Sequence, residues 1–152
     1  DEPVQGCQIH ALGSIRYAAT CTPEFRERHF SKGVTAQALA LAPVLVFNRK
    51  DDMQARFARR MAGAEVPNTA PTWWIPSTRA FVQANLGGLG WTMNPLPLVK
   101  RHLDAGRLVH VRQRAWEDVP LYWQHWKGDV QTMSLLTRAV LGASSTLIRR
   151  RR

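Results

Sequence analysis

Short apolar runs separated by turn-forming residues predict six strands in this chain. The run at residues 43–48 is apolar on both faces, which is typical of a strand buried in a parallel sheet. Trp73 and Trp74 are adjacent in another run, and neighbouring side chains of a strand point to opposite faces, so one ring must meet solvent, a cleft or a partner. The predicted strands are residues 15–20, 43–48, 72–75, 91–93, 108–111 and 121–126.

Amphipathic stretches lie between most of these runs and predict helices. Met53, Phe57 and Met61 recur every four residues and give one helix an apolar stripe. The predicted helices are residues 23–30, 35–40, 53–61, 79–86, 97–105 and 130–143. The side chains predicted to cap them are Thr22, Asp51 or Asp52, Ser77 or Thr78, and Asp129.

Strands that alternate with helices predict an α/β fold with a mostly parallel sheet. Such sheets bind ligands outside the carboxyl ends of the strands, where the helices begin. The positions to search for a binding site are therefore the turns at residues 48–52 and 76–78.

The net charge of +10 first suggests nucleic acid as a partner. Four of these charges lie in the terminal run at residues 149–152 and the others are dispersed, which favours a solvated tail over a surface that reads sequence. Cys7 and Cys21 fit no zinc spacing. Because no leader peptide and no membrane-spanning run is visible, we expect reduced thiols in a cytoplasmic protein.

No catalytic motif is present. The chain has no nucleophile elbow, zinc-protease helix motif or phosphate-binding loop, and the glycines at residues 87–90 follow a predicted helix instead of a strand. The five histidines are scattered, with no pair four residues apart. We therefore expect a protein that is not an enzyme and that uses no metal or cofactor.

Two polar pairs mark the turns after the strands. Asp51 and Asp52 stand side by side in a chain with 11 acidic residues, and they either cap a helix or face a cationic ligand. Ser77 and Thr78 either cap the next helix or, with its free N–H groups, bind a carboxylate. Together the two turns could hold an amino acid.

Four segments carry a family resemblance. In order, LGSIRYAATCTPEF, APVLVFNRKDDMQARF, PSTRAFVQANLGGLGW and VPLYWQHW resemble the effector-binding domain of LysR-type transcriptional regulators. The resemblance spans residues 4–143 and is strongest to the lysine/arginine-responsive ArgP/LysG/IciA branch, through FNRKDDMQ and LYWQHW.

The resemblance implies a periplasmic-binding-protein-like (type 2) α/β effector domain, with the second subdomain complete and the first subdomain only partial. Residues 1–20 would end the first subdomain and form the outward crossing strand, and residues 21–122 would form the second subdomain. Residues 123–148 would supply the return strand and the C-terminal helix of the first subdomain, followed by a basic tail at residues 149–152.

The resemblance also implies a function. A small effector, lysine or arginine, would bind between the subdomains against Ser77, Thr78, Asp51 and Asp52. The parent regulator would bind DNA through a winged helix-turn-helix outside these residues and would form homodimers or homotetramers, with no membrane involved. Two alternatives stay open: a periplasmic-type solute-binding protein with the same fold, and a basic nucleic-acid-binding module.

Overall fold

The computed structural model describes residues 4–67, 69–128 and 131–147. The strands of this part are β1 Cys7–Cys21, β2 Val44–Val46, β3 Thr72–Trp74, β4 Thr92–Pro95, β5 Val109–His110 and β6 Trp116–Trp126. The helices are α1 Pro23–Phe30, α2 Ala36–Leu41, α3 Met53–Ala62, α4 Thr78–Leu86, α5 Leu96–Asp104 and α6 Gln131–Leu147. Each predicted strand and helix is present, although β1 and β6 begin well before their predicted starts. The predicted cap Asp129 lies outside the described residues.

The chain divides into two compact units. One is Tyr17–Glu117, and the other comprises the described parts of residues 1–16 and 118–152. The subdomain bounds expected from the family resemblance stay a prediction.

Within the unit Tyr17–Glu117, β1 pairs antiparallel with β4, where Thr20 lies opposite Thr92, and antiparallel with β5. β2 pairs in parallel with β3, where Val44 lies opposite Thr72, and Val44 forms a further parallel bridge to Trp91. The α/β prediction is thus confirmed, but the prediction of a mostly parallel sheet is wrong for β1. When a helix connects two neighbouring strands, as between β2 and β3, the alternating pattern predicts that they run in parallel. β1 pairs with β4, which is distant in sequence, so the pattern does not determine their relative direction.

Local side chains fix the helix starts. Thr22 Oγ1 accepts a hydrogen bond from Phe25 N–H at 3.2 Å, and Pro23 occupies the first turn of α1, as predicted. Helix α3 ends at Gly63, which adopts φ 68°, a left-handed conformation that glycine accommodates without strain.

The core of this unit is built around aromatic packing. Phe57 on α3 is fully buried, and its ring centroid lies 5.4 Å from that of Trp91. The core is closed on the β2 side by Val44 and Val46. β3 pairs with β2 in the two-stranded sheet, and its residues Trp73 and Trp74 are 49% and 54% exposed. Both rings therefore meet solvent in part, not only the one that alternation requires.

In the other unit, β6 pairs with β1. Arg16 and Asp118 form a bidentate ion pair, with Nη2 to Oδ2 at 2.6 Å. Helix α6 is tied to β6 where Trp123 Nε1 donates a hydrogen bond to Thr137 Oγ1 at 3.0 Å.

Gly90 lies where the chain passes closely beside β2. A Cβ atom at this position would lie 2.8 Å from Pro43 O and 3.2 Å from Leu45 Cδ2. We expect Gly90→Ala to lower the free energy of unfolding by about 1–3 kcal/mol, because the backbone oxygen cannot move away cheaply. Urea unfolding measures this change.

Gly142 provides the matched control, because a Cβ there meets no described atom within 4 Å beyond its own helix and chain neighbours, and the residue lies inside α6. Gly142→Ala should raise stability by about 0.5–1 kcal/mol, the ordinary gain for alanine in a helix. If both alanines changed stability equally, the close approach at Gly90 would not constrain the fold.

Candidate functional site

The two turns singled out from the sequence open into one cavity in the unit Tyr17–Glu117. The cavity has a volume of about 290 Å³, close to the lower end of the range of about 300–1,000 Å³ for small-molecule sites. β2 and β3 run in parallel, so the turns that follow them lie at the same edge of their sheet. The cavity is lined by Tyr17, Phe47, Asp51, Met53, Thr78, Phe81, Met93, Asn94 and Pro95.

Asp51 is held in this cavity by backbone and amide donors. Its Oδ2 accepts hydrogen bonds from Phe47 N–H at 3.0 Å and Gln54 Nε2 at 3.2 Å, and its Oδ1 accepts one from Met53 N–H at 3.2 Å. All three donors are neutral. The carboxylate is therefore fixed in position while its negative charge is left without a cationic side chain among these partners.

The turn before Asp51 folds on itself. Asn48 Oδ1 accepts a hydrogen bond from Lys50 N–H at 2.8 Å, and Asp51 N–H donates to Asn48 O at 3.0 Å. This Asx-type turn brings the carboxylate back towards the end of β2.

The electrostatics of the cavity are those of a single carboxylate. Burial, and secondarily the charge of Asp51, raises the pKa of the Tyr17 hydroxyl, so the phenol stays protonated and can act as a hydrogen-bond donor. Among the described residues, the lining of the cavity includes one acid and no Lys, Arg or His. In a chain with 21 basic residues this is a locally acidic pocket.

Thr78 opens α4 at the same cavity, and Ser77 occupies the cap position. Ser77 Oγ accepts a hydrogen bond from Ala80 N–H at 3.4 Å, so its hydroxyl serves the helix, as the capping interpretation predicts. Ser77 is not among the lining residues, whereas Thr78 is. The first N–H groups of a helix have no acceptor within the helix, so this end of α4 favours a negatively charged or carbonyl group.

Asp52 points into a different environment from Asp51. It occupies the N-cap position of α3 without a side-chain capping bond, is 63% exposed and pairs with Arg56. Arg56 also pairs with Glu117, with Nη2 to Oε1 at 2.7 Å. The structure thus separates the two adjacent acids: Asp51 lies in the cavity, and Asp52 belongs to a surface ion-pair network.

Sequence reasoning did not select Tyr17 or Asn94, which complete the polar part of the cavity. Tyr17 lies on β1 opposite Pro95 of β4, and this antiparallel pairing brings Tyr17 and Asn94 beside the turn of Asp51. The position of Asn94 at the end of a predicted strand is the one feature of the sequence that could have indicated its role.

The apolar walls of the cavity come from Phe47 and Phe81, whose rings meet edge to face at a centroid distance of 6.0 Å.

Other chemistry is not supported by the described part of the chain. Within residues 4–67, 69–128 and 131–147 no cluster of three or more His, Cys, Asp or Glu side chains is arranged to hold a metal ion. Cys7 and Cys21 are free thiols, and burial raises the pKa of the Cys21 thiol to about 12, which suppresses its reactivity. In the same ranges, no helix combines the length and the apolar character needed to cross a membrane.

The sequence and the fold together show which family of proteins this chain belongs to. The family model described as the LysR substrate binding domain matches residues 1–135, and the chain belongs to this family. Its curated relatives are transcriptional regulators and not enzymes, and the predicted family and fold class are confirmed.

Individual relatives place the chain near one branch of the family. It is 41% identical to the HTH-type transcriptional regulator LysG of Mycobacterium bovis over 147 residues, which cover 97% of this chain and 48% of that protein. A structure of the C-terminal domains of a LysR family protein from Agrobacterium tumefaciens matches with a TM-score of 0.93 and 45% identity, over 99% of this chain and 72% of that one.

A third relative was solved with a ligand. Full-length LysG from Corynebacterium glutamicum with bound effector Arg matches with a TM-score of 0.82 and 31% identity, over 95% of this chain and 48% of that chain. The chain spans about half the length of the curated relatives it matches.

Proposed function

We propose that this chain is the effector-sensing domain of a LysR-type, DNA-binding transcriptional regulator, and that its cavity binds a basic amino acid, L-lysine or L-arginine. One observation carries the ligand class. In the part of the chain that the structure describes, the cavity is lined by the carboxylate of Asp51 and by no basic side chain, although the net charge of the chain is +10.

Short-range electrostatics explain why this matters. The excess positive charge of the chain disfavours cations at a distance, but salt screens charges beyond about 8 Å at physiological ionic strength. A ligand ammonium or guanidinium within about 4 Å of Asp51 is attracted far more strongly than distant arginines repel it. The three neutral donors around Asp51 hold its charge in place without cancelling it.

The other walls suit the rest of an amino acid. Phe47, Phe81 and Met93 offer apolar surface to the methylene groups of a lysine or arginine side chain. The start of α4 at Thr78 suits the carboxylate. Ser77 supports this site indirectly, because it caps the helix whose end faces the cavity. Asp52 has the least direct role, since Arg56 already neutralises it.

The relatives support the same ligand class. The Corynebacterium glutamicum LysG structure contains arginine as its bound effector. The names of the relatives favour a transcriptional regulator, which would act on DNA in the cytoplasm, over a periplasmic-type solute-binding protein or a separate nucleic-acid-binding module.

The mechanism proposed is a population shift. An effector that binds one conformation of the sensor more tightly than another changes the balance between them by its difference in affinity. In the full-length regulator, a homodimer or homotetramer, this change would alter the spacing of winged helix-turn-helix domains on DNA. No covalent step is required of any residue.

Calorimetric titration of the full-length protein tests the ligand class. We expect L-lysine or L-arginine to bind, and the uncharged analogues L-norleucine and L-citrulline to bind at least about tenfold more weakly, because they lack the cationic side-chain group. Failure of both basic amino acids to bind would overturn the proposal. Equal binding of the uncharged analogues would do the same.

A further inference from the structure

Asn94 supplies the cavity with a buried acceptor. Its side chain lies on β4, is 0% exposed and lines the same cavity as Asp51. No protein group among the described residues donates a hydrogen bond to Asn94 Oδ1. A buried carbonyl oxygen without a donor is unfavourable, so this atom favours a ligand that brings an N–H group.

The orientation of this amide is set from behind, beginning at Asn85. Asn85 is fully buried, and its Nδ2 donates hydrogen bonds to Thr20 O at 3.1 Å and to Gly90 O at 2.8 Å. Both partners are backbone carbonyls, which can only accept. The amide of Asn85 therefore has one possible orientation, with Oδ1 directed away from them.

Asn85 in turn orients Asn94. Asn85 Oδ1 accepts from Thr20 Oγ1 at 2.8 Å and from Asn94 Nδ2 at 3.1 Å. Asn94 Nδ2 also donates to Thr20 Oγ1 at 3.0 Å. If the Asn94 amide were reversed, its oxygen would face the oxygen of Asn85, and two acceptors would meet in a buried space. Oδ1 is thus the polar atom that the network leaves without a donor, on a residue that lines the cavity.

We infer that Asn94 Oδ1 and the Asp51 carboxylate form an acceptor-only subsite, which binds a protonated nitrogen of the ligand through its N–H groups. The inference rests on the proposed function and adds to it: Asp51 recognises the positive charge, and Asn94 recognises the N–H donor. Ammonium and guanidinium groups satisfy both acceptors. A quaternary ammonium satisfies only Asp51, and a carboxylate satisfies neither.

Two variants of the full-length protein separate ligand contact from network support. Asn94→Ala removes Oδ1 and two hydrogen bonds of the buried network. Thr20→Val also removes two of these bonds but keeps Asn94 Oδ1. We expect thermal unfolding to show similar destabilisation in both, whereas calorimetry shows an affinity for L-lysine or L-arginine about tenfold lower in Asn94→Ala alone.

The outcomes are distinct. Equal loss of affinity in both variants, or no loss in either, would overturn the role of Asn94 while leaving the proposed function intact. Absence of binding to the unaltered protein would instead remove the proposed function.

A ligand series needs no variant and tests the same contact. Trimethylation of L-lysine on its α- or its ε-nitrogen keeps the positive charge and removes the N–H donors. We expect the unaltered protein to bind at least one trimethylated form about tenfold more weakly than L-lysine. Equal binding of L-lysine and both trimethylated forms would show that no N–H group is read and would overturn the inference.

Discussion

Asp51→Asn is expected to weaken binding of the basic amino acid by about 2–3 kcal/mol, or roughly 30- to 160-fold, the cost of losing a charged hydrogen-bond partner. The substitution removes the carboxylate that lines the cavity while preserving the size of the side chain. It also weakens the acceptor for the N–H groups of Phe47 and Met53, so a modest loss of stability should accompany it. Calorimetry on the folded variant measures the affinity, and thermal unfolding measures the second effect.

Asp52→Asn is the matched control, because it changes the same chemical group one residue away. Asp52 is exposed and paired with Arg56, and surface ion pairs contribute about 0–1 kcal/mol. We expect little change in affinity from Asp52→Asn. If the two substitutions weakened binding equally, the charge near the turn would act at long range and the assignment of Asp51 as the ligand partner would be wrong.

Phe57→Ala is expected to lower the free energy of unfolding by about 3–5 kcal/mol, the range for removing a buried aromatic ring. The ring is fully buried and packs on Trp91, so its loss leaves a cavity that the surrounding residues fill only in part. Since most domains are stable by only about 5–15 kcal/mol, the variant should unfold at much lower urea concentration.

Leu41→Ala is the control for this prediction. Leu41 is the last residue of α2 and is 63% exposed, so its truncation should change stability by less than about 0.5 kcal/mol. Comparable losses from Phe57→Ala and Leu41→Ala would mean that the Phe57–Trp91 contact is not the centre of the core.

The sequence was sufficient to predict where the cavity lies. The alternation of strands and helices located the turns after β2 and β3, and the structure brings Asp51 and Thr78 together there. It was also sufficient, in principle, to assign Asp52, because Arg56 follows it at the four-residue spacing that favours a helical ion pair.

Other parts of the site depend on pairing between distant segments. Tyr17 and Asn94 enter the cavity because β1 pairs antiparallel with β4, and neither the direction nor the register of that pairing is encoded in local periodicity. Glu117 pairs with Arg56 across 61 positions of sequence, a contact that no local spacing predicts. The amide orientation of Asn94 depends on three further segments and could not be deduced before they were placed.

The hydrogen bonds from Asn85 Nδ2 to two main-chain carbonyls limit how the ligand specificity of the cavity can be redesigned. The two backbone carbonyls orient Asn85, and Asn85 together with the Thr20 hydroxyl orients Asn94, so the backbone determines which polar atom of Asn94 is left to accept. Changing the specificity of this sensor to an anionic metabolite would require the two amides and the hydroxyl to reverse their orientations together. Laboratory evolution should therefore yield variants that bind ligands of different length and shape, through single substitutions in the apolar walls, long before it yields a variant that binds a ligand of opposite charge.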